Sequence, residues 1–165
     1  MTTSAARPRF SEAALAEYRA VLARYPERRA ALMPTLWLAQ QEFGWLSGPV
    51  MEYVAELMEL PLAWVTAAAS FYTMYWKRAP GRWHIQLCRN LPCALRGAGE
   101  IQRAIEQRLG IRGGEQTPDG RFSFEEVECL ASCDTAPVLQ INNGEYHENL
   151  DVPGALALIE RLAGE

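Results

Sequence analysis

Cys88-Arg-Asn-Leu-Pro-Cys93 and Cys129-Leu-Ala-Ser-Cys133 hold all four cysteines of the 165-residue chain, with thirty-five residues between the pairs. Two close pairs so far apart converge only if the intervening chain folds back on itself. Four thiolates brought together make a soft site, suited to zinc or to an iron–sulfur cluster. The two place different demands on spacing. A structural zinc site uses tight pairs, most often C-x2-C and up to C-x4-C, each gripping one small ion. The pairs here are C-x4-C and C-x3-C, at the loose end of that range, and no histidine lies near either. A [2Fe–2S] cluster is wider: each iron takes two thiolates, and each loop reaches around one iron with backbone N–H groups toward the sulfides. Loops of three or four residues suit that. Ala94, Ala131 and Ser132 let backbone approach, and Pro92 and Pro137 stiffen the loops while each removes an N–H donor. Spacing favours the cluster, leaves zinc open, and puts disulfides third.

Compartment weighs against disulfides. Met-Thr-Thr-Ser-Ala-Ala-Arg-Pro at the N-terminus has no apolar core of signal-peptide length. Thiols that are not exported stay reduced, and grouped cysteines there bind metal or do redox work. The apolar run from Leu62 to Tyr75 is short and interrupted by Thr and Ser, so no bilayer span is expected. The expectation is a soluble, cytoplasmic protein. With 49% hydrophobic residues the chain can bury a sizeable core without a metal as its only staple. A net charge of −4 gives no support for nucleic-acid binding. The charge is uneven, +1 over residues 1–78 and −5 over residues 79–165, which reads as solvation of the second half.

Residues 1–9 are polar and expected to be disordered. Residues 10–78 carry four helical patterns. Ser11 caps a helix with Ala14, Tyr18, Val21 and Tyr25 on one face, ended by Pro26. Leu32, Leu36, Ala39 and Phe43 mark a second, with Pro34 in its first turn and Gly44 at its end. Ser47-Gly-Pro49 opens a third through Val50, Val54 and Leu57, and Pro61 opens a fourth through Val65, Ala68, Ala69 and Tyr72. Short links between them predict a four-helix bundle. Phe71, Tyr72, Tyr75 and Trp76 cluster at its end, and packing onto the next domain is preferred for them over a partner-docking surface. Trp37 and Trp45 carry the same ambiguity.

Ala79-Pro-Gly81 breaks the pattern, and residues 79–165 form the second domain. Trp83–Cys88 alternates as a strand delivering Cys88 at its tip. Gly97 to Leu109 is a helix, Thr117-Pro-Asp-Gly120 a turn, and Phe122 to Cys129 a second strand ending on a ligand. Val138–Ile141 and Glu145–Glu148 flank Asn142-Asn-Gly144, a strong hairpin signal. Pro153 starts a final helix. A right-handed strand–helix–strand crossover makes the first two strands parallel, and the hairpin adds antiparallel ones. The fold class is therefore α/β: a helical bundle followed by a thioredoxin-like mixed sheet with flanking helices. Both ligand loops then lie at the C-terminal ends of adjacent strands, where open α/β sheets place their sites.

Ala69-Ser-Phe-Tyr-Thr-Met-Tyr75, then C-x4-C, then Glu128-Cys-Leu-Ala-Ser-Cys-Asp-Thr-Ala-Pro137 resembles the thioredoxin-like [2Fe–2S] ferredoxins, above all the 24-kDa (E) subunits of bacterial NADH:quinone oxidoreductase, respiratory complex I. The similarity runs over residues 10–163. It implies one [2Fe–2S] cluster, with Cys88 and Cys93 on one iron and Cys129 and Cys133 on the other. It also implies an electron-transfer subunit, not catalytic alone, of an NADH-oxidising enzyme. FMN and NAD would belong to a flavoprotein partner of the 51-kDa (F) type, beside a larger iron–sulfur subunit. Attachment to the inner membrane would be peripheral, through the complex. Equivalent subunits occur in NAD-linked formate dehydrogenases and hydrogenases, and outside the family a zinc-stapled interaction module is the competing reading. Ala131 departs from the glycine common in the family. No G-x-G-x-x-G or phosphate loop suggests a nucleotide site on this chain. Arg89, between two ligands, is a candidate for raising the cluster's potential. His84 and His147 read as packed or edge residues and Asp134 as a loop hydrogen-bonder.

Overall fold

The computed structural model describes residues 7–165, so positions 1–6 of the expected disordered lead lie outside the described residues. The chain divides into two compact units, the first ending at Ala79 and the second running from Pro80 to Glu165.

The first unit is helical: α1 (Glu12–Leu22), α2 (Leu32–Phe43), α3 (Gly48–Met58) and α4 (Leu62–Phe71), with a 3-10 turn over Arg28–Ala31 leading into α2. Capping begins two of them as the sequence predicts. The Ser11 hydroxyl accepts from the Ala14 N–H at 3.2 Å, and Ser47 accepts from the Val50 N–H at 3.3 Å. Gly44 ends α2 at φ 82°, in the left-handed region that favours glycine. Helix α2 packs against α1, α3 and α4. Its apolar face puts Leu36 and Ala39 entirely out of solvent, beside Val54, Met58 and Val65. Truncating Leu36 to Ala would cost about 2–5 kcal/mol, since close-packed neighbours only partly refill the space.

The aromatic cluster after α4 divides. Tyr75 is a core residue of this unit: it is 1% exposed, and its hydroxyl donates to the Met33 carbonyl at 2.7 Å. Gln40, buried on α2, accepts from the Trp76 N–H at 2.6 Å and donates to the Met74 carbonyl at 2.9 Å. Phe71, in contrast, is 79% exposed.

In the second unit, β1 (Trp83–Cys88) leads through α5 (Leu91–Leu95) and α6 (Ala98–Leu109) to β2 (Glu115–Gln116) and β3 (Phe122–Val127). A 3-10 turn (Cys133–Thr135), β4 (Leu139–Ile141), β5 (Tyr146–His147) and α7 (Val152–Gly164) complete it. The sheet order is β2-β3-β1-β4-β5, with β1 and β3 parallel and the other pairs antiparallel. The thioredoxin-like mixed sheet is thus as expected, with β2 and α5 added. Nothing in the polar, exposed Glu115-Gln116 pair signals a strand. The hairpin is a tight turn with Asn142 and Asn143 both at φ 54° and the Gly144 N–H on the Ile141 carbonyl at 2.8 Å.

One sheet face, Ile85, Leu87, Phe122, Phe124, Leu139 and Ile141, forms the core with Ile101 and Ile105 of α6 and Leu158 and Ile159 of α7. The other face of β1 and β3 is polar yet also buried. With its Nε2 protonated, His84 donates to Glu125 at 3.0 Å and accepts from Ser123 at 2.7 Å. Gln86 donates to the same carboxylate oxygen at 3.0 Å. The alternation that identifies β1 therefore reflects two buried faces, one apolar and one hydrogen-bonded. Gly81 permits this packing: a Cβ there would stand 2.5 Å from the Phe122 carbonyl carbon, and its N–H donates to Ser123 at 2.8 Å.

Candidate metal centre

The first cysteine pair is held by regular structure. Cys88 is the last residue of β1, set opposite Val127 of β3, and its N–H donates to the Val138 carbonyl at 3.1 Å. The turn that follows is closed by the Arg89 N–H on the Val127 carbonyl at 3.0 Å. Asn90 then caps α5, its side chain accepting from the Leu91 N–H at 2.7 Å, with Pro92 in the first turn. Cys93 sits inside this short helix. Cap followed by proline is an ordinary helix-start signal. Reading Pro92 only as a loop stiffener passed over it. Cys88 and Cys93 are 2% and 1% exposed.

The second pair is different. Strand β3 stops at Val127, two residues short of the expected end at Cys129, because its parallel partner ends at Cys88 and residues beyond have no ladder to join. Cys129 and Cys133 are both exposed. Ala131 bends the loop between them at φ 60°, and its N–H points at the Cys129 sulfur at 3.2 Å. That left-handed conformation is the one glycine adopts without a steric penalty.

Cys93 is hydrogen-bonded to Cys88, and Cys133 lies within electrostatic reach of Cys88, Cys93 and Cys129. Burial pushes the Cys93 thiol up to about 11, helped by its hydrogen bond to Cys88, while the Val138 backbone opposes the rise and Cys133 adds to it. The Cys133 thiol is also raised, by partial desolvation and then by Cys129 and Cys88. Four thiolates this close repel one another, so positive charge between them is needed to hold all four deprotonated. Among the described residues no three His, Cys, Asp or Glu side chains gather as one ion requires. Soft donors in two pairs, with backbone N–H groups turned toward sulfur at Ala131 and Val138, fit an iron–sulfur cluster.

The other sequence candidates are dispersed. Arg89 is exposed and hydrogen-bonded to Glu128, the residue before Cys129, so its charge is partly matched. Asp134 lies in the 3-10 turn, but the loop's side-chain bonds run from Ser132 and Thr135 to Glu148. Glu148 lay beyond sequence reasoning: only the tight return of the hairpin brings it back to the second cysteine loop. His84 is buried in the sheet and His147 lies on β5. Among the described residues no helix is long and apolar enough to cross a membrane.

Known proteins resemble this chain in sequence and in fold. Residues 18–163 match the model of the thioredoxin-like [2Fe-2S] ferredoxin family. An NADH-quinone oxidoreductase E subunit of Rhizobium meliloti (strain 1021), the one numbered 2, is 47% identical over 144 residues, 87% of this chain and 85% of that protein. The NADH-quinone oxidoreductase E subunit of Rickettsia bellii (strain RML369-C) is 41% identical over 148 residues, 88% of each. Among solved structures, an NAD+-reducing [NiFe]-hydrogenase in the air-oxidized state superposes with a TM-score of 0.69 at 25% identity. That match covers 81% of this chain but only 23% of the hydrogenase chain. With a family model spanning both the helical and the sheet unit, and relatives above 40% identity along most of their length, the chain belongs to the thioredoxin-like [2Fe–2S] ferredoxins.

Proposed function

We propose that this chain is the electron-transfer subunit of an NADH-oxidising complex of the NADH:quinone oxidoreductase type. Cys88 and Cys93 would hold one iron of a [2Fe–2S] cluster and Cys129 and Cys133 the other. The observation that supports the reading most is the proximity of Cys133, on the loop that follows β3, to Cys88 and Cys93 at and beyond the end of its parallel neighbour β1. When bound, the cluster supplies one-electron chemistry at a potential set by its charge and hydrogen bonds. The protein's part is to hold that group and tune it. Buried Cys88 and Cys93 shield one side from water, while exposed Cys129 and Cys133 leave the other within reach of a partner's redox group. The N–H of Ala131 stabilises negative charge on the Cys129 sulfur, which favours the reduced state.

The partner is a flavoprotein subunit that binds FMN and oxidises NADH, with a larger iron–sulfur subunit alongside. Support comes from the relatives named as E subunits of NADH-quinone oxidoreductase. Likeness to a segment of the NAD+-reducing hydrogenase favours a second reading, a subunit of an NAD-linked hydrogenase. The test is anaerobic reduction by NADH, followed by visible bleaching. Bleaching with the flavoprotein of the same complex, and none with NADH alone, is expected. Bleaching by NADH alone, or none with the flavoprotein, would contradict the proposal.

A further inference from the structure

The exposed cysteine loop has no strand or α-helix to hold it, yet it is tied at three successive residues of the chain returning from the hairpin. The Glu148 carboxylate accepts from the Ser132 hydroxyl and, at 2.8 Å, from the Thr135 hydroxyl. These residues flank Cys133, and their own hydroxyls lie 2.7 Å apart. The Asn149 N–H donates to the Thr135 carbonyl at 2.7 Å, and the Leu150 N–H donates to the Pro137 carbonyl at 3.1 Å. Asp151 anchors the end of this segment by capping α7, its carboxylate accepting from the Gly154 N–H at 2.8 Å. A carboxylate is a stronger acceptor than a neutral group, and that of Glu148 engages two hydroxyls of the loop.

We infer that Glu148 is a positioning residue: its carboxylate latches Ser132 and Thr135 so that Cys133 is held facing Cys88 and Cys93 before and after the cluster binds. The inference rests on the cluster reading for its functional consequence, but the latch itself is a property of the cluster-free chain. Groups that orient metal ligands from behind carry about 10–100-fold in metal affinity or activity. Without the latch the loop samples other conformations, and the two solvent-facing ligands become the route by which the cluster is lost.

Two readouts separate the claims. In the cluster-free chain, Glu148→Ala is expected to speed amide exchange at Thr135 and Asn149 while β1 and α6 exchange as in the parent. In the reconstituted protein under excess chelator, Glu148→Ala is expected to shorten the half-life of the visible cluster absorption about tenfold. Glu148→Gln, which keeps an acceptor oxygen, is expected to restore most of both. In a Ser132→Ala, Thr135→Val background, Glu148→Ala should change neither readout further. Unchanged exchange at Thr135 and Asn149 in Glu148→Ala, or equal loss in the Ala and Gln variants, would overturn the latch. If the parent takes up no iron and sulfide, the cluster reading falls, and the exchange rates still decide whether Glu148 orders the loop.

Discussion

The two cysteine pairs are held by opposite means. Cys88 and Cys93 are buried at a strand tip and within a capped helix, fixed by backbone ladders that would exist without any metal. Cys129 and Cys133 are exposed on a loop shaped by a left-handed Ala131 and tied down by side chains. Regular structure keeps the first pair out of solvent. A loop lets the other two be solvent-facing and tunable, at the cost of needing dedicated hydrogen bonds to hold them.

Serine substitution should expose that contrast most sharply. In the cluster-free chain, Cys93→Ser places a hydroxyl at a position 1% exposed and is expected to cost about 1–3 kcal/mol in a denaturant titration. Cys133→Ser should leave the same midpoint unchanged, and equal losses for both would erase the contrast. Ala131→Gly removes the left-handed penalty from the weak loop and should raise stability by about 0.5–1 kcal/mol, less the extra unfolded-state freedom of glycine. A loss of stability there would mean that the loop is not strained at this residue.

Smaller effects test the charges beside the loops. Arg89→Ala leaves Glu128 unmatched next to Cys129, and the midpoint potential of the cluster should fall. Glu128→Gln should raise it, and both shifts should shrink as salt is added because the pair is exposed. Potentials insensitive to both substitutions would rule out any role for this pair. The smallest effect concerns pH. Burial holds the His147 imidazole below its usual pKa of 6.5, with Arg161 acting the same way and Glu145 against it. Its contribution to stability is therefore fully present above pH 6.5 and is lost as pH falls through that value toward the lower folded pKa. His147→Asn should flatten this part of the stability profile measured between about pH 5 and 7.5, a window that spans roughly a unit or more on either side of an ordinary imidazole pKa.

Much of this architecture could be read from the sequence because its signals are local. Ser11 and Ser47 cap where they stand, Asn142-Asn-Gly144 turns where it stands, and Cys88 ends an alternating strand. What stayed hidden depends on partners distant in the chain. The end of β3 at Val127 is set by where β1 ends, thirty-nine residues earlier. Burial of His84 and Gln86 is possible only because Glu125 and Ser123 arrive beside them on β3. Helix α5 was legible in Asn90 and Pro92 but is too short to show periodicity. Glu148 gave no local signal, since its hydrogen bonds form only after the hairpin has folded back.

The central claim, that the two pairs share one redox cluster, is tested most directly on anaerobically purified protein. Iron, sulfide and zinc would be assayed, with EPR spectra recorded before and after dithionite. Two irons and two sulfides per chain, silent as isolated and giving an S = 1/2 signal on reduction, are expected for a [2Fe–2S] centre held by Cys88, Cys93, Cys129 and Cys133. One zinc, with no signal even after attempted reconstitution with iron and sulfide, would contradict it and make the site a structural staple.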